Sequence, residues 1–146
     1  MIDRKHIGTS LPTATLEIEK GRLRFFAKAI GETDPVYVDE RAAKEAGYRS
    51  LPVPPTFIIA VELDANTLFP ALQNIGVNLS RILHGEQQFS YFDTICAGDT
   101  ITVESRFADI FDKKNGALEF VVKESTVTNQ HGKRVAEMRS VIAIRN

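Results

Sequence analysis

Within Gly31-Glu32-Thr33-Asp34-Pro35-Val36-Tyr37, two carboxylates stand beside a phenol. Glu32 can hold or move a proton, whereas a phenol with an ordinary pKa of about 10 is a poor proton shuttle at neutral pH. Further along, His84 and Glu86 place an imidazole beside a carboxylate, a combination suited to general acid–base work. The alternative for that pair is a solvated, polar start to a strand. Glu62 and Asp64 fall in an apolar helical stretch. An acid there either faces a cavity, where it can activate water, or lies on the wet side of an amphipathic helix. The one cysteine, Cys96, excludes an internal disulfide and a Cys-pair metal site, and beside a Gly-Asp turn it fits a small buried filler better than a nucleophile. His6 and His131, in a polar leader and a turn, are expected at the surface.

The elements that must position these residues follow from hydrophobic periodicity. Residues 13–18 fit a short strand with Leu16 and Ile18 on one face. Leu23, Phe26, Ala27 and Ile30 then fall at helical spacing, and Gly31 suits a C-cap. Pro35 makes residues 32–35 a turn, and Asp39 is placed to cap a second short helix that Gly47 stops. Prolines at 52, 54 and 55 impose an ordered loop that delivers the chain into an apolar helix over 56–68. Pro70 is expected to end that helix, leaving 71–80 irregular. From Ile82 the pattern turns to β, with strands at 87–92, 99–111, 118–128 and 134–144. Loops ending in Gly116 and Gly132 join the last three into an antiparallel meander. The order predicts an α+β fold in which a curved sheet wraps one hydrophobic helix.

The 146 residues suit one domain, 1–146, able to bury a core without staples. A net charge of −1 with no basic stripe argues against nucleic acid as a partner. No window approaches the roughly 20 apolar residues of a membrane span, and residues 1–10 do not form a signal peptide. Together with the lone cysteine, these features make the cytoplasm the expected location and exclude a membrane partner.

The segment from Gly31 to Tyr37, followed by Asp39 and Ala42-Ala43, resembles the hydratase signature of MaoC-like hot-dog proteins, Gly-Asp-x-Asn-Pro-aliphatic-His. Pro54-Pro55-Thr56-Phe57 looks like that family's lead into its central helix. Gln87-Gln88-Phe89-Ser90-Tyr91-Phe92 with Gly98-Asp99-Thr100-Ile101 looks like its strand and Gly-Asp turn. Spanning about Leu16 to Ile144, the chain is most similar to the branch that includes the dehydratase region of type I fatty-acid synthases and the subunits of heterodimeric (R)-3-hydroxyacyl dehydratases. The resemblance implies a hot-dog fold, an acyl-CoA or acyl-carrier-protein (ACP) thioester as ligand, a second hot-dog chain as partner, and no metal or redox cofactor.

It also implies a carboxylate and an imidazole that position water and move a proton across the C2–C3 bond of an enoyl thioester, with N–H groups stabilising the oxygen. This sequence has Glu32 in place of the signature Asp, Tyr37 in place of His, Asp34 in place of Asn, and Thr56 where Gly is frequent. Glu32, Tyr37 and a substitute imidazole at His84 are the candidate catalytic residues. The other reading makes Glu32 a turn carboxylate and Tyr37 a half-buried aromatic. Asp34, Pro55, Thr56, Phe57 and Gln87 are the candidate substrate-binding residues. A preserved frame with altered catalytic positions points to a non-catalytic partner subunit of an (R)-specific enoyl-thioester hydratase or 3-hydroxyacyl dehydratase. The alternatives are a self-sufficient homodimer, acting as a hydratase through Glu32 and His84 or as a thioesterase through Glu62 or Asp64, and a non-enzymatic acyl-CoA binder.

Overall fold

The computed structural model describes residues 1–146. Strand β1 (Ala14–Glu17) is followed by α1 (Lys20–Ala29), α2 (Glu40–Glu45), α3 (Ile59–Ala65) and α4 (Leu68–Asn74). Strands β2 (Ile82–Tyr91), β3 (Thr100–Lys113), β4 (Leu118–Thr128) and β5 (Arg134–Arg145) complete the chain. They form one antiparallel sheet in the order β1-β3-β4-β5-β2. The expected meander is β3-β4-β5, and α3 lies against the sheet's inner face, where Glu62 bonds to side chains of β3 and β4. This is the α+β arrangement that both periodicity and resemblance implied.

Alternation decides which residues the sheet buries. On β3, Ile101, Val103, Ser105 and Phe107 face inward, and on β5 Ala136, Met138, Ser140, Ile142 and Ile144 do the same. One hydrophobic cluster joins Leu23 of α1 and Phe57, Ile58 and Val61 around α3 to Ile101, Val103 and Met138 of the sheet. A second joins Leu72 of α4 with Ile75 and Val77 to Phe107, Val121, Ile142 and Ile144. Each fully buried large apolar side chain contributes about 1.5–3 kcal/mol, so these clusters fix α3 and α4 on the sheet.

The caps behave as their residue types dictate. Gly31 follows α1 with φ +72°, and Asp39 accepts a hydrogen bond from the Arg41 N–H at 2.9 Å to start α2. The central helical region departs from expectation. Instead of one helix over 56–68, residues 55–58 form turns, α3 begins at Ile59, and Asn66 breaks it in the left-handed region at φ 47°. Nor does Pro70 end a helix; it sits in the first turn of α4, whose N–H groups have no intrahelical acceptor to lose. Residues 71–74, expected to be irregular, therefore continue a helix. Strand β2 is also longer than expected, starting at Ile82 and carrying a bulge between His84 and Glu86. Gly85 suits that bulge because a Cβ there would lie 3.0 Å from the Val141 carbonyl oxygen.

Candidate functional site

Two separate places in the α3–β2 layer carry the candidate residues. The first is the loop after α1. Glu32 Oε1 accepts from the backbone N–H groups of Thr33 (2.8 Å) and Asp34 (2.9 Å). Asp34 Oδ1 accepts from the Val36 N–H (3.1 Å), capping a 3-10 turn over Pro35–Tyr37. Both acids thus hold the turn that Pro35 starts.

All three tyrosines of the chain, Tyr37, Tyr48 and Tyr91, bear on this region. Burial pushes the half-buried Tyr37 phenol above its ordinary pKa, and Glu32, Tyr48 and Asp34 push the same way. Burial raises Tyr91 further, with Tyr37 adding to the effect. Tyr37 and Tyr91 therefore remain protonated at neutral pH, and Tyr91 Oη donates to the Pro55 carbonyl. Pro55 and Thr56 are exposed, and the N–H groups of Phe57, Ile59 and Ala60 bond to the carbonyls of Pro54 (2.9 Å), Thr56 (3.4 Å) and Phe57 (2.9 Å). Phe57 is fully buried, edge-on to Phe26 at 5.3 Å between ring centroids, which makes it a core residue.

The second place is a slot of about 120 Å³ between α3, α4 and the start of β2. Its mouth carries Leu63, Phe69 and Leu83, all exposed, and its floor carries Glu62, Lys123, Ser140 and Ile142, all buried. His84 and Gln87 line it as well. Gln87 Oε1 accepts from Ser140 Oγ at 2.5 Å. Gln87 lies four positions before Tyr91 along the extended strand, about 13 Å away. Within one chain, therefore, Glu32, Asp34, Tyr37 and Pro55 gather at one end of the layer, while His84 and Gln87 stand at the other.

The acids on α3 are already engaged. Asp64 pairs with Arg22 of α1, whose guanidinium also lies 5.8 Å from the Phe57 ring centroid. Glu62 is 3 % exposed and ion-paired with Lys123, itself 2 % exposed. Glu62 Oε1 also accepts from Ser105 Oγ (2.6 Å) and Ser125 Oγ (3.0 Å). Burial lowers the Lys123 pKa, and the neighbouring Glu62 opposes that shift. Lys123 was not among the sequence candidates, although a signal was present. Strand alternation puts it on the inward face with Val121, Ser125 and Val127, where a cation needs an acid opposite.

Two further residues are structural. Asp99, buried in the Gly-Asp turn, accepts from Arg49 Nη1 (2.7 Å), the Cys96 N–H (2.9 Å) and Gln130 Nε2 (3.1 Å). Burial raises its carboxyl pKa, but these hydrogen bonds outweigh burial and hold it below the usual range. The Cys96 thiol is buried and pushed up by that burial, so it is no thiolate nucleophile. Glu86 pairs loosely with Arg139 at 3.6 Å. No three His, Cys, Asp or Glu side chains stand together as a metal-binding group, and no helix is long and apolar enough to cross a membrane.

Residues 5–138 match the family described as the FAS1-like dehydratase domain region. A UPF0336 protein of Streptomyces avermitilis is 37% identical over 110 residues, covering 75% of this chain and 73% of its own. Among solved structures, the HadBC (3R-hydroxyacyl-ACP dehydratase) complex of Mycobacterium tuberculosis superposes with a TM-score of 0.81 at 23% identity, covering 94% of this chain and 96% of that one. A MaoC-like dehydratase gives 0.85 at 20% identity, covering 97% of this chain and 42% of that one. With the curled sheet around α3, these matches establish that the chain belongs to the FAS1-like dehydratase-region family and has the MaoC-like hot-dog fold.

Proposed function

We propose that residues 1–146 form one hot-dog unit that acts as the acyl-thioester-binding, non-catalytic subunit of an (R)-specific enoyl-thioester hydratase or 3-hydroxyacyl dehydratase. A second hot-dog chain with an intact acid and imidazole performs the chemistry. The ligand is an acyl-CoA or acyl-ACP thioester, the setting is the cytoplasm, and the reaction uses protein groups and water without a cofactor. The observation that carries this reading is Tyr37: it occupies the expected imidazole position with a phenol whose pKa is raised further, beside a Glu32 carboxylate already bonded to its own loop. A general acid–base pair needs a group that titrates near the working pH, and the imidazole of the signature is absent from this loop.

A homodimeric hydratase is the second reading. It is supported by the exposed His84 on edge strand β2, where a second copy can approach. A thioesterase using Glu62 or Asp64 draws less support, because both carboxylates are already ion-paired. The test is hydration of crotonyl-CoA and of a longer 2-enoyl-CoA by the purified chain, alone and with a partner carrying Gly-Asp-x-Asn-Pro-x-His. Activity only with the partner is expected. Full activity of the chain alone overturns the non-catalytic reading, and acyl-CoA binding without turnover in either arrangement makes the chain a simple binder.

A further inference from the structure

The floor of the slot is unusual for an apolar pocket. Behind exposed Leu63 and Leu83 lie Glu62 and Lys123, a buried ion pair held from the sheet by Ser105 and Ser125. The carboxylate is well supplied with partners: Oε1 accepts from two hydroxyls and Oε2 from the ammonium. Lys123 Nζ bonds to Glu62, and an ammonium has three donors. A chain end that reaches the floor therefore meets the Lys123 donor as well as the apolar Ile142 side chain. Offering it only hydrocarbon leaves a charged donor poorly satisfied.

Charge narrows the choice of group. Glu62 and Lys123 together are neutral, so a carboxylate brought beside them would bury a net negative charge next to Glu62, whereas a hydroxyl or carbonyl oxygen adds none. Size narrows it again, since about 120 Å³ is somewhat below the roughly 150 Å³ cavity that holds a benzene ring.

We infer that the slot between α3, α4 and β2 binds an aliphatic chain of about four to six carbons whose buried end carries a neutral oxygen, hydroxyl or carbonyl, received by Lys123. This deepens the acyl-thioester reading by naming the chain, and rests on that reading for the occupant's identity.

Calorimetric titration of the whole protein compares hexanoyl-CoA, 5-hydroxyhexanoyl-CoA and adipoyl-CoA, with 2-hexanone as a probe free of CoA. The hydroxylated chain is expected to bind roughly tenfold more tightly than the plain one, about the worth of one hydrogen bond to a charged group. The carboxylate-ended chain is expected to bind most weakly. Leu83→Trp, at the exposed mouth, removes binding of all probes without touching the core. In Glu62→Leu/Lys123→Met the oxygen preference disappears; if that variant does not fold, the ligand series and Leu83→Trp still decide.

Equal affinity for plain and hydroxylated chains in the wild-type protein overturns the inference. So does strongest binding of adipoyl-CoA, or binding that survives Leu83→Trp. If 2-hexanone binds in a Leu83-dependent way but no thioester does, the slot's chemistry stands and the acyl-thioester reading falls. Thioester binding that ignores Leu83→Trp has the reverse meaning.

Discussion

At the loop end of the α3–β2 layer, Glu32 and Asp34 lie near the surface and give their oxygens to backbone N–H groups of their own turn. At the slot end, Glu62 is buried and bonded to Lys123, Ser105 and Ser125, residues brought from two distant strands. The first arrangement is local and can form as soon as the turn does. The second exists only once helix and sheet have met, and the desolvation of two charges has to be offset by good geometry. A motif resemblance draws attention to the loop end, while the costly polar chemistry lies at the slot end.

The comparison is sharpened most by breaking the buried pair. Lys123→Met leaves Glu62 unpaired and should cost about 3–5 kcal/mol, whereas adding Glu62→Leu should restore wild-type stability or exceed it. Urea denaturation of both variants checks this, and a harmless single substitution would contradict the pairing. Next in size is Asp99→Ala, expected to cost about 2 kcal/mol after allowing for the outer, solvent-screened part of Arg49. Because the native Asp99 pKa is depressed, its contribution is present above an unfolded value of about 4 and is lost as pH falls through the native one. Urea midpoints measured from pH 7 down to pH 2 should therefore converge for wild type and Asp99→Ala.

Tyr91→Phe removes the bond to Pro55 and should cost about 1 kcal/mol or less. The raised native pKa gives the opposite pH sense: the phenol's contribution holds below about pH 10 and is lost as pH rises through the native value. The alkaline fall in thermal midpoint should be shallower in Tyr91→Phe. The smallest effect is expected for Glu32→Gln, about 0.5 kcal/mol, with hydration by the chain plus its partner unchanged within about twofold. A hundredfold loss of that activity would return Glu32 to the catalytic machinery.

Much of the fold was legible because β3, β4 and β5 alternate cleanly and their turns carry glycine at Gly116 and Gly132, both at positive φ. The broken central helix was not, because its break depends on Asn66 adopting a left-handed conformation, and Pro70 is tolerated in the first turn of α4. Near the candidate residues, Pro35 made the turn held by Glu32 and Asp34 legible, whereas the motif gave no pointer to the slot. It carried no information about Lys123, whose partner lies 61 positions away in the chain. Alternation placed Lys123 on the inward face, but only the packed structure shows which acid it meets.

The Asp99 cluster has a consequence for the order of folding. Its carboxylate joins Arg49, 50 positions upstream, to Gln130, 31 positions downstream in the β4–β5 hairpin. Neither contact can form until the chain ends of two large loops have closed, which places this node after hairpin formation in time. Substituting Asp99 should therefore accelerate unfolding while leaving the refolding rate nearly unchanged, a φ-value close to zero in a chevron experiment. The turn that marks this family in sequence would then act as the clasp that keeps a finished sheet from reopening.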